Sequence, residues 1–202
     1  MKTILCYGDS NTWGDDPDGG PRFGHDIRWP RILQNKLGSG YYVIEEGLCG
    51  RTTDLDDKSS HKRNGLSYLP ACVSSHDPIN FFLIMLGTND LKDRFGREVR
   101  DIAEAIGRLI EVIRKETDSP NMLILSPALV NSQASRFYIY SHDLSMAEKK
   151  SERFAVEFEK VAKLHQCLFL DTAPIARTGS DGVHLSKESH LALAKAIAEI
   201  VH

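Results

Sequence analysis

The chain has 202 residues, of which 41% are hydrophobic and 26% charged, and its formal net charge is −3. This length and composition are typical of one soluble globular domain, which we place over residues 1–202. Because no run of five or more like charges occurs, the sequence argues against a nucleic acid or an anionic membrane as partner. Composition alone leaves an enzyme and a binding module equally open.

The N-terminal segment and the cysteines bear on the location of the protein. The first residues contain only a short apolar stretch, well below the ~7–15 apolar residues that a secretory signal needs. No segment approaches the ~18 consecutive apolar residues of a membrane span. The cysteines form neither a CxxC pair nor a disulfide-dense pattern. We therefore expect a cytoplasmic protein whose cysteines are reduced: Cys6, Cys49, Cys72 and Cys167.

Short apolar segments alternate with longer amphipathic ones, a pattern that predicts parallel strands connected by helices. The near-continuous apolar character of the short segments suits strands that are covered on both faces. The predicted strands are Thr3–Tyr7, Tyr42–Glu46, Phe81–Leu86, Met122–Ser126 and Leu168–Leu170. The sequence therefore predicts a single layered α/β domain.

Three helices follow from the spacing of apolar residues. Between the third and fourth strands, five aliphatic residues fall on one helical stripe: Ile102, Ile106, Leu109, Ile110 and Ile113. A similar stripe runs from Phe154 to His165, before the fifth strand. The last helix is predicted to start after Ser186 as N-cap, with Glu188 in its first turn.

Three segments do not fit this alternation. Asp15–Phe23 is rich in Asp, Gly and Pro, and Asp54–Gly65 is polar, so both are predicted to be surface loops. Pro127–Ser145 lacks clear periodicity but carries several apolar side chains. Such a segment is expected to shape a ligand site or a subunit contact.

Four loops with polar or reactive residues lie at the ends of the predicted strands. They are Gly8-Asp9-Ser10, Gly47-Leu48-Cys49-Gly50, Gly87-Thr88-Asn89-Asp90 and Asp181-Gly182-Val183-His184. Ligands of open parallel sheets bind beyond the carboxyl ends of the strands. We therefore expect these loops to converge on one edge of the sheet and to form the functional site.

Three side chains in these loops have complementary chemistry. A serine hydroxyl becomes a good nucleophile when a histidine takes its proton and a carboxylate orients that histidine. Ser10, His184 and Asp181 supply these groups, and the i, i+3 spacing of the last two lets one helical turn present both. Asp9 and Asp90 are expected to be structural, because a carboxylate in such a turn usually accepts nearby backbone N–H bonds.

Acyl transfer also needs hydrogen-bond donors at the developing oxyanion. The candidates are the backbone N–H groups of Ser10 and Gly50 and the side-chain amide of Asn89. Trp13 is a candidate wall of the acyl pocket, with core packing as the alternative, and Val183 is a candidate substrate contact.

These blocks resemble the SGNH (GDSL-like) hydrolases in their order and content. The sequence is also similar to the bacterial arylesterase and acyltransferase subgroup, through Gly8-Asp9-Ser10-Asn11-Thr12-Trp13-Gly14, Glu45-Glu46-Gly47-Leu48, Gly50-Arg51-Thr52-Thr53 and Asn64-Gly65. The resemblance covers nearly the whole chain. It implies Ser10 as nucleophile, His184 as base and Asp181 as its partner. It also implies an oxyanion hole made by Ser10, Gly50 and Asn89.

The resemblance further implies a flavodoxin-like three-layer α/β/α sandwich with a parallel five-stranded sheet, and a reaction without a cofactor. Relatives often form symmetric oligomers, so we expect a homo-oligomer, with Phe137–Tyr140 as a candidate contact. Two residues depart from the family pattern. Asn11 follows the serine where Leu is usual, and Asp15 replaces a bulky aromatic residue of some acyltransferase-like members.

The leading prediction is a serine esterase that hydrolyses small aryl or acetyl esters through an acyl-Ser10 intermediate. A carbohydrate O-deacetylase with the same triad is the alternative, and a non-catalytic binding module is the third hypothesis. Histidine spacing matches no common metal site such as HExxH, so we expect no metal. Arg51 and Arg94 lie near the site loops and are expected to be solvated, as exposed arginines usually are.

Overall fold

The computed structural model describes residues 1–118, 120–136 and 143–201. Its five strands pair in parallel in the order β2-β1-β3-β4-β5. They are β1 Lys2–Gly8, β2 Tyr41–Gly47, β3 Phe81–Met85, β4 Asn121–Leu125 and β5 Leu168–Leu170. All five predicted strands are confirmed, with ends that differ from the prediction by at most one residue. The segment Phe137–Tyr140, the candidate subunit contact, lies outside the described residues.

Seven helices are found in the described part of the chain. They are α1 Ser10–Trp13, α2 Trp29–Leu37, α3 Gly65–His76, α4 Val99–Glu116, α5 Ala147–Ser151, α6 Phe154–Leu164 and α7 Lys187–Val201. The predicted helices correspond to α4, α6 and α7. In α7 the backbone N–H of Ser189 donates to Ser186 Oγ at 3.3 Å, which agrees with Ser186 as N-cap.

Sequence reasoning did not predict α2 and α3. The helix α2 is short, with Pro30 in its first turn, and its buried aromatic and aliphatic residues span a single turn. The helix α3 contains Pro70, which usually interrupts a helix. Both helices form because the sheet supplies an apolar surface to cover, a tertiary effect that local sequence does not report.

The sheet is covered on both faces, which gives the predicted three-layer α/β/α sandwich. Alternate side chains of one strand enter different cores: in β1, Leu5 and Tyr7 pack with α3, α4 and α6, whereas Ile4 and Cys6 pack with α2 and α7. Because both faces are covered, the inner strands β1, β3 and β4 are buried and apolar along most of their length, whereas the edge strand β2 ends in Glu45-Glu46-Gly47 and is only partly buried. The strand order is that of flavodoxin-like folds, so the predicted fold class is confirmed.

The strand order places three of the four loops predicted to form the site. In the order β2-β1-β3, the loops after these strands lie side by side at the carboxyl edge of the sheet.

Among the residues described, no helix is long and apolar enough to cross a membrane.

Candidate active site

Ser10 sits at a sharp transition from strand to helix. Strand β1 ends at Gly8 and α1 begins at Ser10, so Asp9 is the only residue between them. The Asp9 carboxylate caps the short helix by accepting the backbone N–H of Asn11 at 2.9 Å. The Ser10 side chain is therefore held at the carboxyl end of the central part of the sheet.

A chain of hydrogen bonds joins Ser10 to Asp181 through His184. The His184 Nε2 atom lies 2.9 Å from Ser10 Oγ, and His184 Nδ1 lies 2.6 Å from Asp181 Oδ2. All three side chains are buried. The structure thus brings together the three residues that the sequence singled out, although Ser10 and His184 are 174 positions apart.

The backbone between Asp181 and His184 is a turn and not the helical turn that the i, i+3 spacing predicted. Asp181 Oδ1 accepts the backbone N–H groups of Val183 and His184, each at 2.9 Å. Gly182 has φ +73°, a conformation that residues with a β-carbon rarely adopt. The predicted helical turn is therefore wrong, because a carboxylate-capped turn with a left-handed glycine satisfies these N–H groups locally.

Charge and burial shift the pKa values of this pair in opposite directions. Burial alone would raise the pKa of Asp181, but its hydrogen bond with His184 and the charge of His184 hold that pKa below its ordinary value. Burial alone would lower the pKa of His184, and the hydrogen bond to Asp181 raises it above its ordinary value. The negative charges of Asp15 and Asp9 act in the same direction. The site therefore stabilises the protonated histidine, the form that an attack by serine creates.

Asn11 is a positioning residue that the sequence did not assign to the site. Its side-chain oxygen accepts the backbone N–H of Leu185 at 2.8 Å, and its Nδ2 donates to the carbonyl of Val183 at 3.4 Å. These two backbone groups flank His184 on both sides. A leucine, which is usual after the serine in the hydrolases that the sequence resembles, could make neither bond. The asparagine in place of leucine was therefore the sequence signal that could have predicted this role.

The three candidate oxyanion donors lie on loops that are bonded to one another. Neither Ser10 N–H nor Gly50 N–H has an acceptor among the described residues, so both are available to a substrate oxygen. The Asn89 amide donates one hydrogen to the Arg51 carbonyl at 3.1 Å and retains a second one. Gly50 has φ +79°, a backbone conformation that favours glycine.

Arg51 is buried, with a side chain that is only 3% exposed, which corrects the expectation of a solvated arginine. Its Nη1 donates to the carbonyl of Gly8 at 2.9 Å and also to the carbonyl of Glu46. The guanidinium stacks 4.2 Å from the centre of the Tyr7 ring. Arg51 therefore ties the Gly50 loop to the ends of β1 and β2, and these contacts offset the cost of its burial.

Asp9 and Asp90 have the structural roles that were predicted. Burial raises the pKa of each to about 6. Asp90 accepts hydrogen bonds from Thr53 and from Arg97 Nη1, the latter at 3.1 Å. It therefore fastens the loop after β3 to the loop after β2, and Asp181 is the carboxylate bonded to His184.

A further carboxylate stands beside the histidine. Asp15 Oδ2 lies 3.5 Å from His184 Nε2, the atom that also faces Ser10. The Cys49 thiol points to the same carboxylate oxygen at 3.9 Å. Burial and the charges of Asp15 and Asp9 raise the pKa of Cys49 to about 12, so this cysteine is a protonated thiol at neutral pH.

The two candidate pocket residues differ in their surroundings. Trp13 ends α1 and is half-buried, and the Arg22 guanidinium lies 4.8 Å from its ring centre. Val183 is buried and belongs to the core cluster between the sheet and α3, α4 and α6. Contact of either side chain with a substrate stays a prediction.

One cluster of possible metal ligands occurs within the described ranges. Glu46, Cys72 and His76 hold ligand atoms within 4.8 Å of one another. The Arg51 guanidinium lies 3.9 Å from Glu46 and supplies a positive charge there. Burial raises the pKa of Cys72 to about 12, which disfavours the thiolate that binds metals. These residues therefore form an internal network around Arg51, and the chemistry of the donors is a poor match for a metal.

Comparison with known proteins identifies the family. Residues 6–192 match the family model of the GDSL-like lipases and acylhydrolases. The chain belongs to this family. The predicted enzyme class, a carboxylic ester hydrolase of the GDSL-like family, is thereby confirmed. A comparison with curated protein sequences gives no match to the chain.

Solved structures similar to this GDSL-like hydrolase include an aryl esterase from M. smegmatis. It is 36% identical, with a TM-score of 0.93, and the match covers 100% of this chain and 98% of that chain. Two proteins from Sinorhizobium meliloti are also similar. One is a carbohydrate acetylesterase, which is 33% identical with a TM-score of 0.92, and the match covers 100% of this chain and 98% of that chain. The other is a carbohydrate acetylesterase family member, which is 36% identical with a TM-score of 0.94, and the match covers 100% of this chain and 97% of that chain.

Proposed function

We propose that the protein is a serine esterase that cleaves small, short-chain acyl esters through an acyl-Ser10 intermediate. The observation that carries this proposal is the buried hydrogen-bond chain from Ser10 Oγ to His184 and on to Asp181, with links of 2.9 and 2.6 Å. Aryl and acetyl esters are the proposed substrates, since the similar solved structures include an aryl esterase and carbohydrate acetylesterases.

The first half of the reaction forms the acyl-enzyme. The Ser10 hydroxyl transfers its proton to His184 Nε2 while Oγ attacks the ester carbonyl carbon. Asp181 holds the imidazole in the required tautomer and stabilises the imidazolium. The carbonyl oxygen, now negatively charged, accepts hydrogen bonds from the N–H groups of Ser10 and Gly50 and from the Asn89 amide. The carbon–alkoxy bond then breaks, and the His184 proton passes to the departing alcohol.

The second half repeats these steps with water. His184 takes a proton from a water molecule, whose oxygen attacks the acyl carbon of the ester on Ser10. The same donors stabilise the second oxyanion. When the bond to Ser10 Oγ breaks, His184 returns its proton to the serine, and the carboxylic acid is released. Apart from the ester and the water molecule, every group in this cycle is a side chain or a backbone N–H of the chain.

Replacement of the nucleophile tests this proposal. Ser10→Ala is expected to abolish hydrolysis of 4-nitrophenyl acetate and labelling by a fluorophosphonate probe, with an unchanged thermal unfolding curve. The matched control is Ser74→Ala, which removes an exposed hydroxyl of α3 and should change neither reaction. Undiminished turnover by the Ser10 variant would overturn the proposal. Absence of labelling in the unmodified protein would favour a non-catalytic binding module.

A second candidate function is O-deacetylation of carbohydrates on the same triad. The observation that favours it is the Asp15 carboxylate, a hydrogen-bond acceptor 3.5 Å from His184 Nε2. The polar loop 54–65 adds little support, because its Asp54 and Asp57 side chains are paired with arginines. Comparison of kcat/KM for phenyl acetate and for acetylated sugars separates the two functions.

A further inference from the structure

Asp15 lies next to the reacting groups, and the proposed mechanism gives it no role. It follows Gly14, the residue that caps the C-terminus of α1, and its backbone N–H donates to the carbonyl of Ser10 at 3.1 Å. Its Oδ2 lies 3.5 Å from His184 Nε2, and its side chain is 35% exposed, so the carboxylate faces both the histidine and the solvent.

The position of Asp15 restricts which alcohols can depart when the acyl group is transferred to Ser10. The departing alcohol oxygen must come within about 2.6–3.2 Å of His184 Nε2 to receive its proton. Asp15 Oδ2 is 3.5 Å from that same nitrogen atom. Because both oxygens approach the same nitrogen atom, they are at most about 7 Å apart during the reaction, a separation that one hydroxyl group of the alcohol can bridge. Both are acceptors, so they repel each other unless a hydrogen-bond donor lies between them.

The carboxylate has the free capacity to accept such a donor. Among the described residues, the imidazole of His184 and the weak donor Cys49 both contact Oδ2 of Asp15. Oδ1 has no hydrogen-bond partner among the residues that the structure describes, whereas an ionised carboxylate can accept at both oxygens.

Hydrogen bonds connect the loop that carries Asp15 to the loop that carries His184. Ser180 Oγ donates to the carbonyl of Pro17 at 2.7 Å and to Asp18 Oδ1 at 2.6 Å. Ser180 directly precedes Asp181, so the Asp15 loop and the His184 loop are connected. Asp15 is therefore a preorganised acceptor, and a substrate donor would not have to order it first.

From this geometry we infer that Asp15 determines specificity for the alcohol part of the ester, by accepting a hydrogen bond from a hydroxyl on the carbon next to the ester-bearing carbon. The substrate class is thus monoacyl esters of vicinal diols and polyols. Such a hydroxyl places its O–H between the leaving oxygen and the carboxylate, and so removes the repulsion between them. The inference rests on the proposed serine esterase function and narrows its substrates.

Two small esters that differ only in the donor provide the test. We would measure kcat/KM for 2-hydroxyethyl acetate and for 2-methoxyethyl acetate, and compare their ratio among variants, so that intrinsic reactivity cancels. A hydrogen bond to a charged group corresponds to about tenfold to hundredfold in this ratio. We expect Asp15→Ala to lose that factor and Asp15→Asn, which keeps a neutral acceptor, to lose part of it.

The matched control is Asp26→Asn, which removes an exposed charge from the same connecting segment. It should retain the ratio of the unmodified protein. An unchanged ratio in both Asp15 variants, with folding verified by circular dichroism, would overturn the inference. Failure of the proposed function looks different: the unmodified protein would then hydrolyse neither ester nor 4-nitrophenyl acetate and would not be labelled by fluorophosphonate.

Discussion

The side-chain oxygen of Asn11 accepts a 2.8 Å hydrogen bond from the backbone N–H of Leu185, 174 positions away. Asn11 is the neighbour of Ser10, and Leu185 is the neighbour of His184. One buried amide thus connects the backbone beside the nucleophile to the backbone beside the base. Because the bond acts on the main chain, it sets the position of the imidazole without contact to a reacting atom.

Replacement of Asn11 by Leu is expected to reduce both stability and turnover. The variant leaves the buried N–H of Leu185 without an acceptor, which costs about 1–3 kcal/mol in the free energy of unfolding. A displaced His184 should lower kcat more than it changes KM. Urea unfolding and 4-nitrophenyl acetate kinetics measure the two effects. Asn35→Leu, the same change at an exposed site, is the control and should alter stability by no more than about 0.5 kcal/mol.

Activity should rise with pH as His184 loses its proton, because only the neutral imidazole can accept the serine proton. Burial opposes the shift, but the hydrogen bond to Asp181 and the charges of Asp181, Asp15 and Asp9 raise the pKa of His184 above its ordinary value. The acid limb of kcat/KM should therefore lie above pH 6.5. Asp15→Asn should move this limb to lower pH. A pH-stat assay with 2-hydroxyethyl acetate measures it, and an unmoved limb would contradict the role of the Asp15 charge.

Asp181→Asn is expected to reduce kcat by on the order of 10³–10⁴-fold, because an amide can hold the imidazole in the wrong tautomer. Asp181 Oδ1 also accepts two backbone N–H groups, which the oxygen of asparagine can replace. The fold should therefore be retained. Asp171→Asn, at the end of β5, makes the same change at a carboxylate that bonds Ser126, and its activity should remain near that of the unmodified protein. Equal activities of the two variants would argue against Asp181 as the partner of His184.

His190 should make the stability of the fold depend on pH. Burial and the nearby Arg28 charge lower its pKa to about 4. Between this value and about 6.5, the unfolded chain binds a proton at His190 that the folded chain excludes, so stability is lost as the pH falls through this window. The full effect is about 3 kcal/mol. Asn can replace His Nδ1 as acceptor for the Trp29 N–H, so His190→Asn should unfold with a weaker pH dependence.

Comparison of urea unfolding at pH 4 and pH 7 for both proteins isolates this histidine. Asp9 and Asp90 titrate in both proteins, since burial raises the pKa of each to about 6, and their contributions cancel in the difference. The same pH dependence in both proteins would show that His190 does not take up the proton.

Local sequence patterns were sufficient to predict those strands and helices whose burial leaves a periodic or continuous apolar pattern in the chain. A strand buried on both faces must be apolar at consecutive positions, so β1 and β3 could be recognised directly. The helix α4 carries its apolar stripe at helical spacing, and its boundaries enclose that stripe. The helix α3, which contains Pro70, has no such signature and depends on the sheet that it covers.

The amino-acid sequence by itself determined the parallel α/β class and the set of chemical groups at the strand ends, because burial of strands and turns after strands leave local signals. The tertiary structure decided which polar groups meet. Only the folded chain makes Asn11 a positioning residue, buries Arg51 against Tyr7 and the strand ends, and sets Asp15 beside His184. These contacts join residues distant in sequence, and their free energies depend on distance and burial, which residue order alone does not specify.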